Sequence, residues 1–254
     1  MSVESTYERG LLGIAISKTN YDDISLNKTG KPTDTKDKSS IKVFLYFTES
    51  VENKPLRNRL YGYQWNGTKL INPTLILDLS ALPGPIHNGG KLAIGPDCYL
   101  YAVVGDFQHT GRLQNIINGS GPDDTSVIFR VNPANGLPAQ NNPFLSNNKS
   151  DLMNKYYVYG IRNSFGLALD PITGNVQETE NGPDIYDEIN LVKPGFNSGW
   201  KKIMGQILRT PGSYQDLVNL AGSKYSDPLF SWRKPVAVTG IDFMKSSTLG
   251  ETII

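Results

Sequence analysis

The stretch HNGGKLAIGPDCYLYAVVGD, residues 87–106, has the pattern of two short β-strands joined by a tight turn. Its two apolar runs, 90–95 and 99–105, have the length and the residue types that are typical of strands. Pro96 and Asp97 lie between them and are common turn formers. Cys98 stands where such hairpins often have glycine, which costs roughly 1 kcal/mol if its φ is positive. The stretch therefore predicts a β-hairpin.

Units of strand, turn and strand recur along the chain. The stretch LDPITGNVQ, residues 169–177, again has proline and other turn formers between two strand-like runs. Repeated units of this kind favour a sandwich, a barrel or a β-propeller. The 25 glycines and 16 prolines suit the many turns of such folds. Further strands are predicted near residues 10–16, 42–49, 58–65, 73–80, 126–132, 166–170, 175–180, 188–192 and 238–244.

The remaining segments are predicted to be irregular. One short helix is predicted over residues 212–222, and the polar stretch 17–40 is expected to be an exposed loop. No segment has the composition of a linker, so residues 1–254 are predicted to form one domain. The irregular segments 107–125, 139–155 and 203–228 are expected to be loops around a site.

Composition and charge exclude several functional classes. The chain has 25 basic and 24 acidic residues, so it offers no basic field for nucleic acid or an anionic membrane surface. No apolar run approaches the length of a membrane span, and residues 1–10 have no signal-peptide core. Cys98 is the single cysteine, so no internal disulfide can form.

His87 and Asp106 stand at the two outer ends of the predicted hairpin. If its strands pair, both residues lie at the same edge of the sheet. A carboxylate beside an imidazole fixes the tautomer of the ring and raises its basicity, as a general base requires. The alternative is a purely structural hydrogen bond between histidine and aspartate.

Residues 159–200 contain two further candidate motifs. Arg162 and Asn163 lie in a glycine-flanked bend, where a guanidinium could pair with a carboxylate or a carbonyl. Gly182 and Pro183 form a bend whose carbonyl oxygens are hard ligands suited to Ca²⁺. The alternatives are a surface arginine and an ordinary Gly-Pro turn.

Two other features admit a functional or a structural interpretation. Asp184, Asp187 and Glu188 could hold a metal, but a solvated strand end is the expected interpretation. Trp232 could pack in the core or provide a stacking surface, and His109 is expected at the surface.

Four stretches together resemble one protein family. They are ERGLLGIAI (8–16), HNGGKLAIGPDCYLYAVVGD (87–106), YGIRNSFGLALDPITGNVQETENGP (159–183) and DEINLVKPGFNSGW (187–200). In this order and spacing they resemble the glucose/sorbosone dehydrogenase family, the soluble quinoproteins related to glucose dehydrogenase and aldose sugar dehydrogenase. The resemblance covers about residues 8–244 and looks closest to archaeal versions.

This resemblance implies an all-β fold, a six-bladed β-propeller that binds pyrroloquinoline quinone (PQQ) and Ca²⁺ on its axis. It also implies oxidation of an aldose at its anomeric carbon, with electrons passing to an acceptor of unknown identity. Glu8 stands where well-studied relatives have glutamine, which puts that polar contact to cofactor or sugar in doubt. Matching residues imply the following roles: His87 as general base, Asp106 as its partner, Arg162 and Asn163 as quinone contacts with Arg162 near the carbonyl that accepts hydride, Gly182 and Pro183 as backbone ligands of Ca²⁺, and Trp232 packed against the quinone.

The extent of the resemblance leads to further expectations. The matched stretches supply about three blades and part of a fourth, so the chain is expected to be an incomplete propeller, a fragment of a longer protein that is inactive by itself. Quinone loading implies an extracytoplasmic setting, with any signal peptide outside this segment. Two alternatives stay open: a non-catalytic propeller that binds a glycan or a protein partner, and a Ca²⁺-dependent lactone hydrolase.

Overall fold

A computed structural model describes residues 2–18 and 41–244 of the chain. Residues 19–40 of the predicted polar loop lie outside this description. The first residue of that loop, Ser17, belongs to a strand. Among the described residues, none forms a helix long and apolar enough to cross a lipid bilayer.

The described residues form fourteen strands and four short 3₁₀ helices. The 3₁₀ helices span Arg112–Gln114, Leu152–Lys155, Ile207–Arg209 and Tyr214–Asp216. The strands are β1 (Leu11–Ser17), β2 (Ile41–Glu49), β3 (Arg57–Trp65), β4 (Leu70–Ser80), β5 (Leu92–Ile94), β6 (Leu100–Val104), β7 (Val127–Val131), β8 (Tyr156–Tyr159), β9 (Ser164–Leu169), β10 (Val176–Glu180), β11 (Asp187–Val192), β12 (Phe196–Asn197), β13 (Lys224–Tyr225) and β14 (Phe230–Trp232).

The strands form three sheets, each of which begins with an inner strand. The first sheet has the order β1-β2-β3-β4, the second β5-β6-β7-β8-β12-β13, and the third β9-β10-β11-β14. Strand β1 contacts β5, and β5 contacts β9, so the inner strands are neighbours in chain order. Sheets arranged in this way are the blades of a β-propeller. The predicted all-β class and propeller architecture are therefore confirmed.

Blade-to-blade packing forms the core. In β6, Leu100 and Ala102 face the first sheet and pack in one buried cluster with Phe44. The alternate residues Tyr101 and Val103 face the third sheet in a second buried cluster. Because side chains alternate along a strand, β6 is covered on both faces and is apolar throughout. This packing fixes the positions of the loops at the strand ends.

Two predicted elements are corrected. Residues 212–222 do not form an α-helix: they contain one 3₁₀ turn, Tyr214–Asp216, after which the N–H of Val218 donates to Asn115 Oδ1. Residues 238–244 do not form a strand, since they have no ladder partner among the described residues. The positive φ considered for Cys98 is present, at 62°.

Candidate active site

Five predicted site residues lie at one end of the inner strands. Glu8, His87 and Arg162 come shortly before β1, β5 and β9, respectively. Asp106 follows β6, which is antiparallel to β5, and Gly182 follows β10, which is antiparallel to β9. The start of one strand meets the end of its antiparallel neighbour, so all five residues share one end of the propeller.

The His87–Asp106 pair is the best-defined part of this site. His87 Nδ1 donates to Asp106 Oδ1 across 2.7 Å, and only 1% of Asp106 is exposed. The backbone N–H of Gln108 donates to the same oxygen across 2.7 Å. His87 has a φ of 61°, an uncommon left-handed conformation of the kind that clusters at functional sites. With Nδ1 committed to the carboxylate, Nε2 is the ring nitrogen left to accept a proton.

Gly105 brings the segments of His87 and Arg162 into contact. A Cβ atom at this position would lie 2.3 Å from the carbonyl oxygen of His87 and 2.6 Å from that of Arg162. The N–H of Asp106 donates to the same Arg162 carbonyl across 2.8 Å. Only glycine permits this approach, so the predicted base and the predicted quinone contact are close neighbours.

Glu8 joins the first blade to this cluster. Its Oε2 accepts the backbone N–H of His87 at 2.6 Å and the side-chain amide of Asn163 at 3.1 Å. The carboxylate thus ties the segments before β5 and β9 to the segment before β1.

Arg162 is held at several points, and its buried Nε has no hydrogen-bond partner. Its backbone N–H donates to Glu180 Oε1 at 2.6 Å, and its Nη1 donates to the carbonyl of Asn181 at 2.9 Å. Its guanidinium carbon lies 5.3 Å from the centroid of the Trp200 ring. The Nε of Arg162 and the Oδ1 of Asn163 are buried without a hydrogen-bond partner. Buried polar atoms are rarely unpaired, so these two atoms are suited to a ligand.

The Gly182–Pro183 bend is fixed by Asp187. Asp187 Oδ1 accepts the N–H of Gly182 at 2.9 Å, and its Oδ2 accepts the N–H groups of Val236 and Ala237, each at 2.7 Å. A Cβ at Gly182 would lie 2.2 Å from a backbone carbonyl oxygen, so glycine is required. Within the described residues, no three His, Cys, Asp or Glu side chains are placed to hold a metal. A cation at this bend would therefore rely on backbone oxygens.

The interpretation of the acidic cluster as a solvated strand end is wrong. Asp184 is exposed, but only 1% of Asp187 and 1% of Glu188 is exposed. Both buried carboxyls accept hydrogen bonds from backbone N–H groups in place of water: Asp187 from the three named above, and Glu188 from Gly205.

Trp232 lies farther along the same blade. It is on the edge strand β14, opposite Asp187 in the register, with its ring 4.7 Å from that of Phe230. It is partly exposed, and its partner across the ladder, Asp187, is the residue that fixes the Gly182–Pro183 bend.

Sequence reasoning missed that three glutamates beside the site are buried. Glu178, Glu180 and Glu188 are at most 1% exposed, and Glu180 Oε2 accepts the hydroxyl of Ser198 at 2.6 Å. Burial raises the pKa of Glu180 to about 7. Burial and repulsion by Glu180 raise the pKa of Glu188 to about 8. The alternation in VQETE, which places Glu178 and Glu180 on one strand face, was the available signal.

These pKa values predict a pH-dependent stability. Folded Glu188 keeps its proton up to about pH 8, whereas an unfolded glutamate loses it at about pH 4.3. The folded state binds the extra proton in this window, so its contribution to stability falls as the pH rises. Relative to the unsubstituted protein, Glu188→Gln should gain about 1 kcal/mol or more in free energy of unfolding between pH 5 and pH 8, measured by urea denaturation. The exposed Glu52→Gln is the control, and an equal gain for both variants would contradict the assignment.

Comparison with known proteins shows which family this chain is similar to. A family model described as glucose / sorbosone dehydrogenase matches residues 33–252. Quinoprotein glucose dehydrogenase B of Acinetobacter calcoaceticus is 29% identical over 198 residues, which are 72% of this chain and 38% of the relative. An aldose sugar dehydrogenase of Escherichia coli is 29% identical over 164 residues, 63% of this chain and 41% of the relative.

A solved structure agrees with these relatives. The PQQ-bound form of aldose sugar dehydrogenase from Streptomyces coelicolor has a TM-score of 0.65 and 29% identity, and the match covers 95% of this chain and 59% of that one. The chain thus spans roughly 40 to 60% of the length of these three proteins. On the family model, the relatives and the fold, this chain belongs to the glucose/sorbosone dehydrogenase family.

Proposed function

We propose that the protein containing this chain is a PQQ- and Ca²⁺-dependent dehydrogenase that oxidises an aldose at its anomeric carbon. The observation that carries the proposal is the placement of the His87–Asp106 pair beside Arg162 and Asn163 at one end of the propeller. The named activities of the relatives support the sugar and the quinone. Because the chain spans only part of those relatives, the activity is proposed for the whole polypeptide, and residues 1–254 alone are expected to be inactive.

The described residues fit the proposed cofactor. PQQ presents carboxylate and carbonyl oxygens and an N–H group. The unpaired Nε of Arg162 would donate to such an oxygen, and the unpaired Oδ1 of Asn163 would accept a hydrogen bond. The carbonyl oxygens of Gly182 and Pro183 are ligands of the type that Ca²⁺ takes.

The chemistry divides between the cofactor and the chain. When bound, PQQ would supply a hydride acceptor for the anomeric carbon, and Ca²⁺ would supply a Lewis acid. His87 takes the proton of the anomeric hydroxyl at Nε2, because Asp106 engages Nδ1. Asp106 stabilises the resulting imidazolium. Arg162 provides a fixed positive charge beside the reacting atoms.

Reconstitution tests this proposal. Purified whole protein is given PQQ and Ca²⁺, and the reduction of an artificial electron acceptor is followed with a panel of aldoses. We expect turnover with at least one aldose that requires both additions. Hydrolysis of a lactone without quinone would contradict the proposal and favour the lactone hydrolase. Binding of a glycan without any turnover would contradict it and favour the non-catalytic propeller. The same proposal includes transfer of the electrons to an acceptor of unknown identity and a location of the protein outside the cytoplasm.

Asp187 gives a separate test of the proposed Ca²⁺ site. Asp187→Asn keeps one acceptor oxygen but replaces the other with a donor, so the bend loses part of its support. Residues that orient metal ligands typically affect metal affinity about 10–100-fold. We therefore expect the Ca²⁺ concentration for half-maximal thermal stabilisation of the PQQ-loaded protein to rise at least about 10-fold. Asp184→Asn, in the exposed part of the bend, should leave it unchanged; an equal change in both variants would contradict the role of Asp187.

A further inference from the structure

Trp200 contacts both halves of the candidate active site. Its indole Nε1–H donates to Asp106 Oδ2 across 2.6 Å, while the other oxygen of Asp106 accepts His87 Nδ1. Its ring also lies beneath the guanidinium of Arg162, with 5.3 Å from the guanidinium carbon to the ring centroid. One side chain therefore contacts the partner of the proposed base and the arginine beside it.

The indole N–H fixes how Asp106 presents its carboxylate. Oδ1 accepts two hydrogen bonds, from His87 Nδ1 and the N–H of Gln108, and Oδ2 accepts the one from Trp200. Hydrogen bonds to an ionised carboxylate are short and strong, so the carboxylate has little freedom to rotate. Without the indole donor, Oδ2 would need another partner, and the carboxylate could turn away from the imidazole.

The backbone of Trp200 is itself anchored. Its N–H donates to the carbonyl of Gly160 at 3.2 Å, and its carbonyl accepts the side-chain amide of Asn115 at 2.8 Å. The N–H of Lys201 donates to the carbonyl of Gln114 at 2.8 Å. Gln114 and Asn115 are fully buried, so the irregular segment 107–125 supports the indole from behind.

We propose that Trp200 is a positioning residue for the reaction, acting through Asp106 to orient His87 and through its ring to hold Arg162. This inference rests on the proposed function. The ring face gives the guanidinium a preferred position through a cation–π contact. The N–H gives the carboxylate a preferred rotation. Trp200 thus couples the orientation of the proton acceptor to that of the positive charge.

Two substitutions separate these contacts. Trp200→Phe keeps an aromatic face but removes the N–H, and Trp200→Leu removes both. For the reconstituted whole protein, we expect Trp200→Phe to lower kcat about 10–100-fold, as for the loss of one charge-assisted hydrogen bond. KM for the sugar should change less than about 3-fold, since Trp200 orients groups rather than binding sugar. Trp200→Leu should lower kcat further than Trp200→Phe, because it removes the aromatic face as well as the N–H. The control is Trp65→Phe, at the end of β3, which should leave kcat unchanged.

A cofactor-free measurement distinguishes the contact from the reaction. The 254-residue sequence contains two histidines, His87 and His109, so it gives few imidazole NMR signals. We expect a downfield, slowly exchanging Nδ1–H proton of His87 that exchanges faster in Trp200→Phe, while the signals of His109 stay in place. In the unsubstituted protein, the indole N–H of Trp200 should exchange more slowly than that of Trp65. This comparison does not depend on the folding of a variant.

The outcomes are separable. If Trp200→Phe matches Trp65→Phe in kcat and in the His87 signal, the positioning role is overturned while the proposed function stands. An indole N–H of Trp200 that exchanges as fast as that of Trp65 would also overturn it. If the unsubstituted protein oxidises no aldose, the proposed function fails, and the NMR signals still decide whether Trp200 orients the His87–Asp106 pair.

Discussion

His87→Gln is expected to lower kcat for aldose oxidation about 10²–10⁴-fold, the usual contribution of a general base. Glutamine has an amide in place of the imidazole and accepts no proton near neutral pH. The substituted side chain can still donate to Asp106, so the loss should fall on kcat more than on the affinity for the quinone. Steady-state dye reduction and quinone titration with the same preparation measure both quantities.

His109→Gln is the matched control for this substitution. His109 is partly exposed, in the loop after β6, with its Nδ1 2.7 Å from Asp123 Oδ2. His109 lies outside the proposed active site, so the kcat of His109→Gln should stay within about 2-fold of that of the unsubstituted protein. A His87→Gln enzyme with unchanged kcat, or an equal loss in both variants, would refute the assignment of His87 as the base.

Gly105→Ala is expected to lower kcat/KM at least about 100-fold, because the new Cβ would overlap two carbonyl oxygens at 2.3 and 2.6 Å. These oxygens belong to His87 and Arg162, so relief of the overlap must move the two segments apart. A displacement of about 1 Å can cost about 100-fold in rate. Overpacking should also lower the free energy of unfolding by about 1–3 kcal/mol, measured by urea denaturation.

Gly121→Ala is the control for the added methyl group. A Cβ at Gly121 meets no heavy atom within 4 Å, and its φ is not positive. This variant should keep full activity and stability. If Gly105→Ala is equally silent, the close approach of the two segments does not organise the site.

The sequence predicted the blades well because strands of a propeller are short, apolar and bounded by turn residues. The hairpin at 90–105 was readable for this reason, and its antiparallel pairing brings His87 to Asp106. Strands β8, β12, β13 and β14 were not predicted, since strands of two to four residues are too short to leave a periodic signal. Residues 212–222 start a helical turn, but the tertiary hydrogen bond from the N–H of Val218 to Asn115 Oδ1 replaces the bond that would continue it.

The candidate site was only partly predictable. Motif resemblance located His87, Arg162 and the Gly182–Pro183 bend, but it could not indicate that Trp200 donates to Asp106 from 94 residues away. Nor could it indicate that Asp187 is buried, because a carboxylate that accepts backbone N–H groups looks like a solvated one in sequence. Such roles depend on which loops meet in space, and spacing along the chain does not encode that.

A crystal structure of the whole protein with PQQ and Ca²⁺ tests the central claim most directly, that separate blades form one quinone pocket. The account predicts a quinone in contact with Arg162 Nε and Asn163 Oδ1, and a cation bound by the carbonyl oxygens of Gly182 and Pro183. A quinone bound away from His87, or a cation on the outer rim of the blades, would contradict it.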